Sequence, residues 1–152
     1  MPVAPDPHGP ALAGSPTPDS INAMTVQEFP GAGNDCTEIG RDYAIARRRV
    51  AAADIRPGGY ISGPTQFSLA DAALWYVVFA AIGRVEPMAL TSELSIRFLR
   101  PAIGETLWAR ATLDNAGRRN VVGTVHLWVD DRTTAYTSVA QGTYALPRQP
   151  ST

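Results

Sequence analysis

Residues 62–83, SGPTQFSLADAALWYVVFAAIG, constrain this chain more than any other stretch. Pro64 suits the first turn of a helix, where its missing N–H would have no partner in any case. Gly83 suits the left-handed residue just past a helix end, and Pro87 blocks a restart. Between them lie about five turns with almost no charge. A helix that is apolar all round is expected to be buried all round. It is long enough to span a membrane. However, it is the chain's only long apolar run, and amphipathic strand patterns follow it, so a core helix and no membrane partner are expected.

One residue breaks that pattern. Apart from the Tyr76 phenol, Asp71 is the only ionisable side chain from Pro64 to Ile82. A carboxylate in a wrapped helix costs several kcal/mol, roughly, unless something compensates it. Helical rotation places Pro64, Ser68, Asp71 and Trp75 on one stripe. The helix start, with its free N–H groups and partial positive charge, therefore faces the same space as the acid. Donors plus an acid on one stripe suit acyl-transfer hydrolysis. A structural carboxylate that caps or pairs is the competing reading.

The rest of the chain gives this helix a setting. Its 152 residues fit one domain with a substantial core, and the net charge of −1 gives no reason to expect a nucleic-acid partner. The single Cys36 excludes an internal disulfide and fits a reducing cytoplasm. It sits in a Gly/Asn/Asp-rich stretch expected to be a loop. Residues 1–23 carry Pro2, Pro5, Pro7, Pro10, Pro16 and Pro18 and are expected to be a disordered tail, with the domain spanning 24–152. Thr25 and Glu28 suggest a capping box for a short helix over 25–29, ended by Pro30-Gly31.

Residues 43–54, YAIARRRVAAAD, suggest a first strand, and Arg56-Pro57-Gly58-Gly59 a loop leading to the helix. Four strand-like segments follow it. Leu90, Leu94, Ile96 and Phe98 alternate with Thr91, Glu93, Ser95 and Arg97. Leu107, Ala109, Ala111 and Leu113 form a second apolar face, and Val121, Val125, Leu127 and Val129 a third. The last segment covers about 134–146. Short links with turn residues predict antiparallel neighbours. The expected class is α+β: an antiparallel sheet wrapped around one long central helix.

GPTQFSLADAA, then LTSELSIRFLRPAIGETL, then GRR before a strand resemble hot-dog fold thioesterases, and most closely the PaaI-type acyl-CoA thioesterases. The resemblance covers roughly residues 40–147. It implies that Asp71 activates water or attacks the thioester, and that a backbone N–H at the helix start polarises the carbonyl. It also implies an active site formed between two subunits whose sheets join edge to edge, in a homodimer or homotetramer. The implied substrate is a coenzyme A thioester, with no cofactor and no metal.

Three positions depart from the family pattern. Ser62 stands where His is common, Pro64 where the second Gly is common, and Arg56 where an Asn often supports the site. Proline has no N–H. The expected donors are therefore the backbone of Thr65 first and Gly63 next. Thr91 matches a recurrent threonine near the acyl group. Ser68 could hold the acid or a water, and Trp75 could wall the acyl pocket. Arg100 and Arg118 are candidates for CoA phosphates. Hydratases of the same fold pair a histidine with the acid, but neither His8 nor His126 lies near the helix in sequence. A non-catalytic acyl-thioester binding protein is the further alternative.

Overall fold

The computed structural model describes residues 15–148. In chain order the elements are helix α1 (Pro18–Glu28), strands β1 (Asn34–Ile39) and β2 (Tyr43–Arg49), and a 3-10 turn (Ala52–Asp54). A short hairpin, β3 (Ile55–Arg56) and β4 (Tyr60–Ile61), leads to helix α2 (Gly63–Ile82). Strands β5 (Leu90–Phe98), β6 (Thr106–Ala116), β7 (Asn120–Val129) and β8 (Ser138–Ala145) complete the chain. Six strands form one antiparallel sheet in the order β1-β2-β6-β7-β8-β5, around α2. This is the hot-dog arrangement, α+β in class.

α2 starts and stops where its sequence signals lie. Ser62 is the N-cap, with its Oγ accepting the Thr65 N–H at 3.2 Å. Gly83 ends the helix in the left-handed region at φ 76°, its N–H donating to Phe79 O at 2.8 Å. Leu69, Ala70, Ala73, Leu74, Val77 and Val78 are fully buried. The sheet face they meet is built from small residues, including Ala44, Ala46, Ala109, Ala111 and Ala140. Gly123 and Gly142, register partners on β7 and β8, bring the sheet closest. A Cβ at either would lie within 3 Å of a Leu74 methyl, so the two glycines form the seat for Leu74.

The structure corrects several expectations. α2 is not buried all round. Pro64, Phe67 and Ser68 are exposed and Asp71 is half-buried, so the described residues leave the acid's stripe only partly covered. The expected domain start at residue 24 falls inside α1, which begins at Pro18 behind a Thr17–Ser20 capping box rather than at Thr25. Ile21 is fully buried, and this apolar anchor outweighs the proline-rich composition around it. The expectation for residues 1–14 lies outside the described residues. Cys36 lies on β1, not in a loop. The Asn22 side chain bonds both its N–H and its C=O, at 2.7 and 2.9 Å, and so ties α1 to β1.

The strand order also differs from a simple meander. β5 does not neighbour β6 but lies beyond β8, at the sheet edge. The seven residues 99–105 could reach about 23 Å when extended. Three strand spacings need only about 14 Å. A short link therefore permits a crossing as well as a hairpin. It passes the start of α2, where Ile61 N–H donates to Ala102 O at 2.8 Å.

Candidate active site

The acid is held from the sheet. Thr91 Oγ1 donates to Asp71 Oδ1 at 2.7 Å, and the Tyr144 hydroxyl donates to the same oxygen at 2.7 Å. Tyr144 also lies 3.2 Å from the Asp71 carbonyl oxygen. Thr91 and Tyr144 are register partners on β5 and β8, so the pleat presents both to the helix together. An irregularity between Thr91 and Glu93 shifts the expected phase, turning the Thr91 hydroxyl toward Asp71 and leaving Leu90 exposed. No described residue donates to Asp71 Oδ2. Burial, and then the Asp71 charge, push the Tyr144 phenol above its ordinary pKa, so it remains a donor.

Sequence reasoning missed Tyr144. The only signal for it was a phenol at an inward position of the last strand, in phase with Ser138, Ala140 and Gly142. A buried phenol needs a hydrogen-bond partner, but the sequence does not say which.

Asp71 opens into a pocket of about 260 Å³. Ser68, Ala72 and Trp75 line it from α2, and Thr25 and Phe29 from α1 and its end. Trp75 meets Phe29 edge-on at 5.5 Å and Phe79 at 5.0 Å, so it serves both the pocket wall and the core.

A second cleft, of about 560 Å³, lies at the start of α2 and includes Arg56, Gly63, Phe98 and Arg100. The Thr65 N–H, expected to be free here, is not: it is taken by the Ser62 cap. Gln66 N–H already donates to Ser62 O at 3.2 Å, and Pro64 has none. Gly63 is left as the first-turn N–H without a partner among the described residues. Gln66 itself is buried, with its amide bonded to Ile61 O and Ser138 Oγ.

The helix start is fixed by a network that sequence reasoning also missed. Thr65 Oγ1 donates to Asp54 Oδ1 at 3.2 Å, and Arg48 grips Asp54 through two bonds of 3.0 Å. Burial opposes the Asp54 charge. Arg48, the Ala51 N–H and Thr65 outweigh it and hold the carboxyl below the usual carboxylate range.

The structure separates the two arginines considered for CoA. Arg100 lies with Arg56 beside Gly63, whereas Arg118 lies with Arg84, Arg119 and Arg148 beyond the other end of α2. His126 sits on the β7 face away from α2, beside Tyr136. Burial raises the Cys36 thiol to about 12, which suits an inert core residue.

The sequence model of the thioesterase superfamily matches residues 58–136. A provisionally assigned thioesterase from Silicibacter sp. TM1040 is 30% identical, with 86% of this chain and 92% of that one covered at a TM-score of 0.77. The PaaI protein of the Escherichia coli phenylacetic acid degradation operon is 22% identical, covering 84% and 91%, TM-score 0.66. A thioesterase of Haemophilus influenzae is 20% identical, covering 86% and 90%, TM-score 0.70. These last two likenesses speak to the fold alone. No curated protein sequence matches the chain.

Proposed function

This chain belongs to the thioesterase superfamily and is a thioester hydrolase, and we propose that its substrate is an acyl-coenzyme A cleaved with Asp71. The observation that carries the role of Asp71 is the unequal treatment of its two oxygens. Oδ1 accepts two neutral hydroxyl donors, while Oδ2 has no donor among the described residues and belongs to a carboxylate that opens into a pocket. Thr91 and Tyr144 orient the group, and Oδ2 is the oxygen that works.

As a base, Oδ2 takes a proton from water as the water oxygen bonds to the thioester carbon. The carbonyl oxygen becomes an oxyanion and is stabilised by a backbone N–H. Collapse breaks the C–S bond, and the proton on Asp71 passes to the departing thiolate. Direct attack by Oδ2, with water then cleaving the acyl-enzyme anhydride, uses the same oxygen and the same donor.

Gly63 supplies that donor, and it comes from a second copy. Gly63 and Asp71 of one chain are eight residues apart, about 12 Å along the helix. One thioester carbonyl has to lie about 3 Å from the N–H and equally close to the acid. β5 has one edge paired to β8 and the other unpaired among the described residues, and an unpaired edge favours pairing with another copy. A homodimer joined there is the reading that supplies both groups. Arg56 and Arg100, beside Gly63, suit the CoA phosphates, and Arg118 lies among arginines of the same use.

The test combines thiol release with subunit mixing. The wild type should release thiol from an acyl-CoA panel. Asp71→Ala and Gly63→Pro should each be nearly inactive while folded, because proline is tolerated at the first helical position. Mixed dimers of the two should recover roughly a quarter of wild-type activity, since half the dimers carry one intact site of two. Full activity in Asp71→Ala would sink the assignment. No recovery on mixing would place donor and acid in one chain.

A further inference from the structure

We propose that α1 sets the acyl specificity of this enzyme: the pocket at Asp71 takes an apolar acyl group of medium length, and Phe29 is its end wall. The inference rests on Asp71 being the reacting acid, as proposed above. Its basis is the pocket, which lies within one chain on the acid's own stripe.

The space beside Asp71 within one chain sets a scale for the ligand. At the roughly 30 Å³ that a water occupies in the liquid, about 260 Å³ accommodates eight or nine non-hydrogen atoms. Its lining favours hydrocarbon: Phe29, Ala72, Trp75, Pro87, Ala89 and Leu90 contribute apolar surface, and Asp71 is the only charged side chain among the described lining residues.

α1 is a fixed wall rather than a loose flap. Ile21 is fully buried, Asn22 is bonded twice to the Cys36 backbone, and Thr25 Oγ1 donates to Ile21 O at 2.9 Å. Phe29 caps the end of α1, with its N–H on Thr25 O at 2.8 Å, and meets Trp75 edge-on. Trp75 lies one turn past Asp71 on α2, so the aromatic pair stands beyond the acid. Phe29 is 49% exposed. Its outer side meets solvent, so truncating it opens the pocket outward and leaves the core filled.

The experiment measures binding and turnover separately. S-alkyl-CoA thioethers, from ethyl to tetradecyl, lack the thioester and cannot be hydrolysed. With wild-type protein, their affinity should rise by about fourfold per methylene until the pocket is full, near eight carbons, and then level off. Phe29→Ala should move that break to longer chains, and Ala72→Leu, which fills the pocket, to shorter ones. In hydrolysis assays the decanoyl-to-hexanoyl ratio of kcat/KM should rise about fifteenfold in Phe29→Ala, the value of burying two further methylenes. A break at the same length in all three folded proteins would overturn the proposal, as would affinity that climbs unbroken to tetradecyl in the wild type. The predicted thioether pattern without hydrolysis of any acyl-CoA would support the pocket and count against the catalytic reading instead.

Discussion

Thr91 and Tyr144 face each other across β5 and β8, and both give a hydroxyl proton to the same oxygen of Asp71. The sheet thereby holds the one acid on α2. The rotation of the carboxylate is set by two strands rather than by the helix that carries it. The two donors constrain the same carboxylate oxygen redundantly.

That redundancy is measurable. A hydrogen bond to a charged carboxylate contributes about 1.5 kcal/mol or more, at least roughly tenfold in rate if all of it is used in the transition state. Tyr144→Phe and Thr91→Val should each lower kcat by about that factor, with smaller changes in KM. The double variant should lose clearly more than the product of the two, because no donor remains. Strictly multiplicative losses would show that the two hydroxyls act independently.

The Arg48–Asp54–Thr65–Ser62 network should matter first for stability. Asp54 is 5% exposed, and removing it leaves Arg48 without its carboxylate partner. Asp54→Ala should cost about 3 kcal/mol in urea denaturation. The lowered pKa of Asp54 adds a sign: its contribution is present above the unfolded carboxylate value and is lost as pH falls through the folded one. The cost of Asp54→Ala should therefore shrink in acid. A cost that is the same at pH 7 and in acid would contradict this linkage.

Alkaline pH should destabilise the fold. Burial raises Cys36 to about 12 and also raises Tyr76 and Tyr144, whose phenols lie in the core. The unfolded chain ionises these groups at their ordinary values, while the folded chain keeps them protonated. Stability is full below those values and falls as pH rises towards the folded ones. Urea midpoints should drop between pH 7 and pH 10.5, with about 2 kcal/mol from Cys36 alone. In Cys36→Ala the decline should be shallower, and an unchanged slope would exclude the thiol as its source.

Gly142→Ala tests the seat under Leu74. The added methyl would sit 2.6 Å from Glu93 O, on the neighbouring strand backbone, and 2.9 Å from a Leu74 methyl. Neither can move cheaply in a packed core, so a loss of about 1–3 kcal/mol is expected. Gly83→Ala, with open space around the glycine and φ 76°, should cost less and only through backbone strain. Thermal melts of the two variants rank the costs, and the reverse order would contradict the packing described.

The sequence alone determined the features that depend on neighbours along the chain. Pro64 and Gly83 bounded α2, its composition made it the core helix, and strand alternation marked the apolar faces of β6 and β7. Asp71 stood out because a lone acid in such a helix is costly wherever the rest of the chain lies. Tertiary structure decided everything that depends on a distant partner. Asp71 finds Thr91 twenty residues away and Tyr144 seventy-three away, and no periodicity encodes either distance. The Thr65 N–H was legible as a helix-start donor and is taken locally by the Ser62 cap, whereas the bond from the Thr65 hydroxyl to Asp54, eleven residues away, follows from the fold. β5 reached the far edge because chain length limits only how far a link can stretch, while packing around α2 chooses the strand it meets. Local patterns select elements through backbone geometry and burial, but contacts across the sheet follow from the assembled core, where many residues settle their positions together.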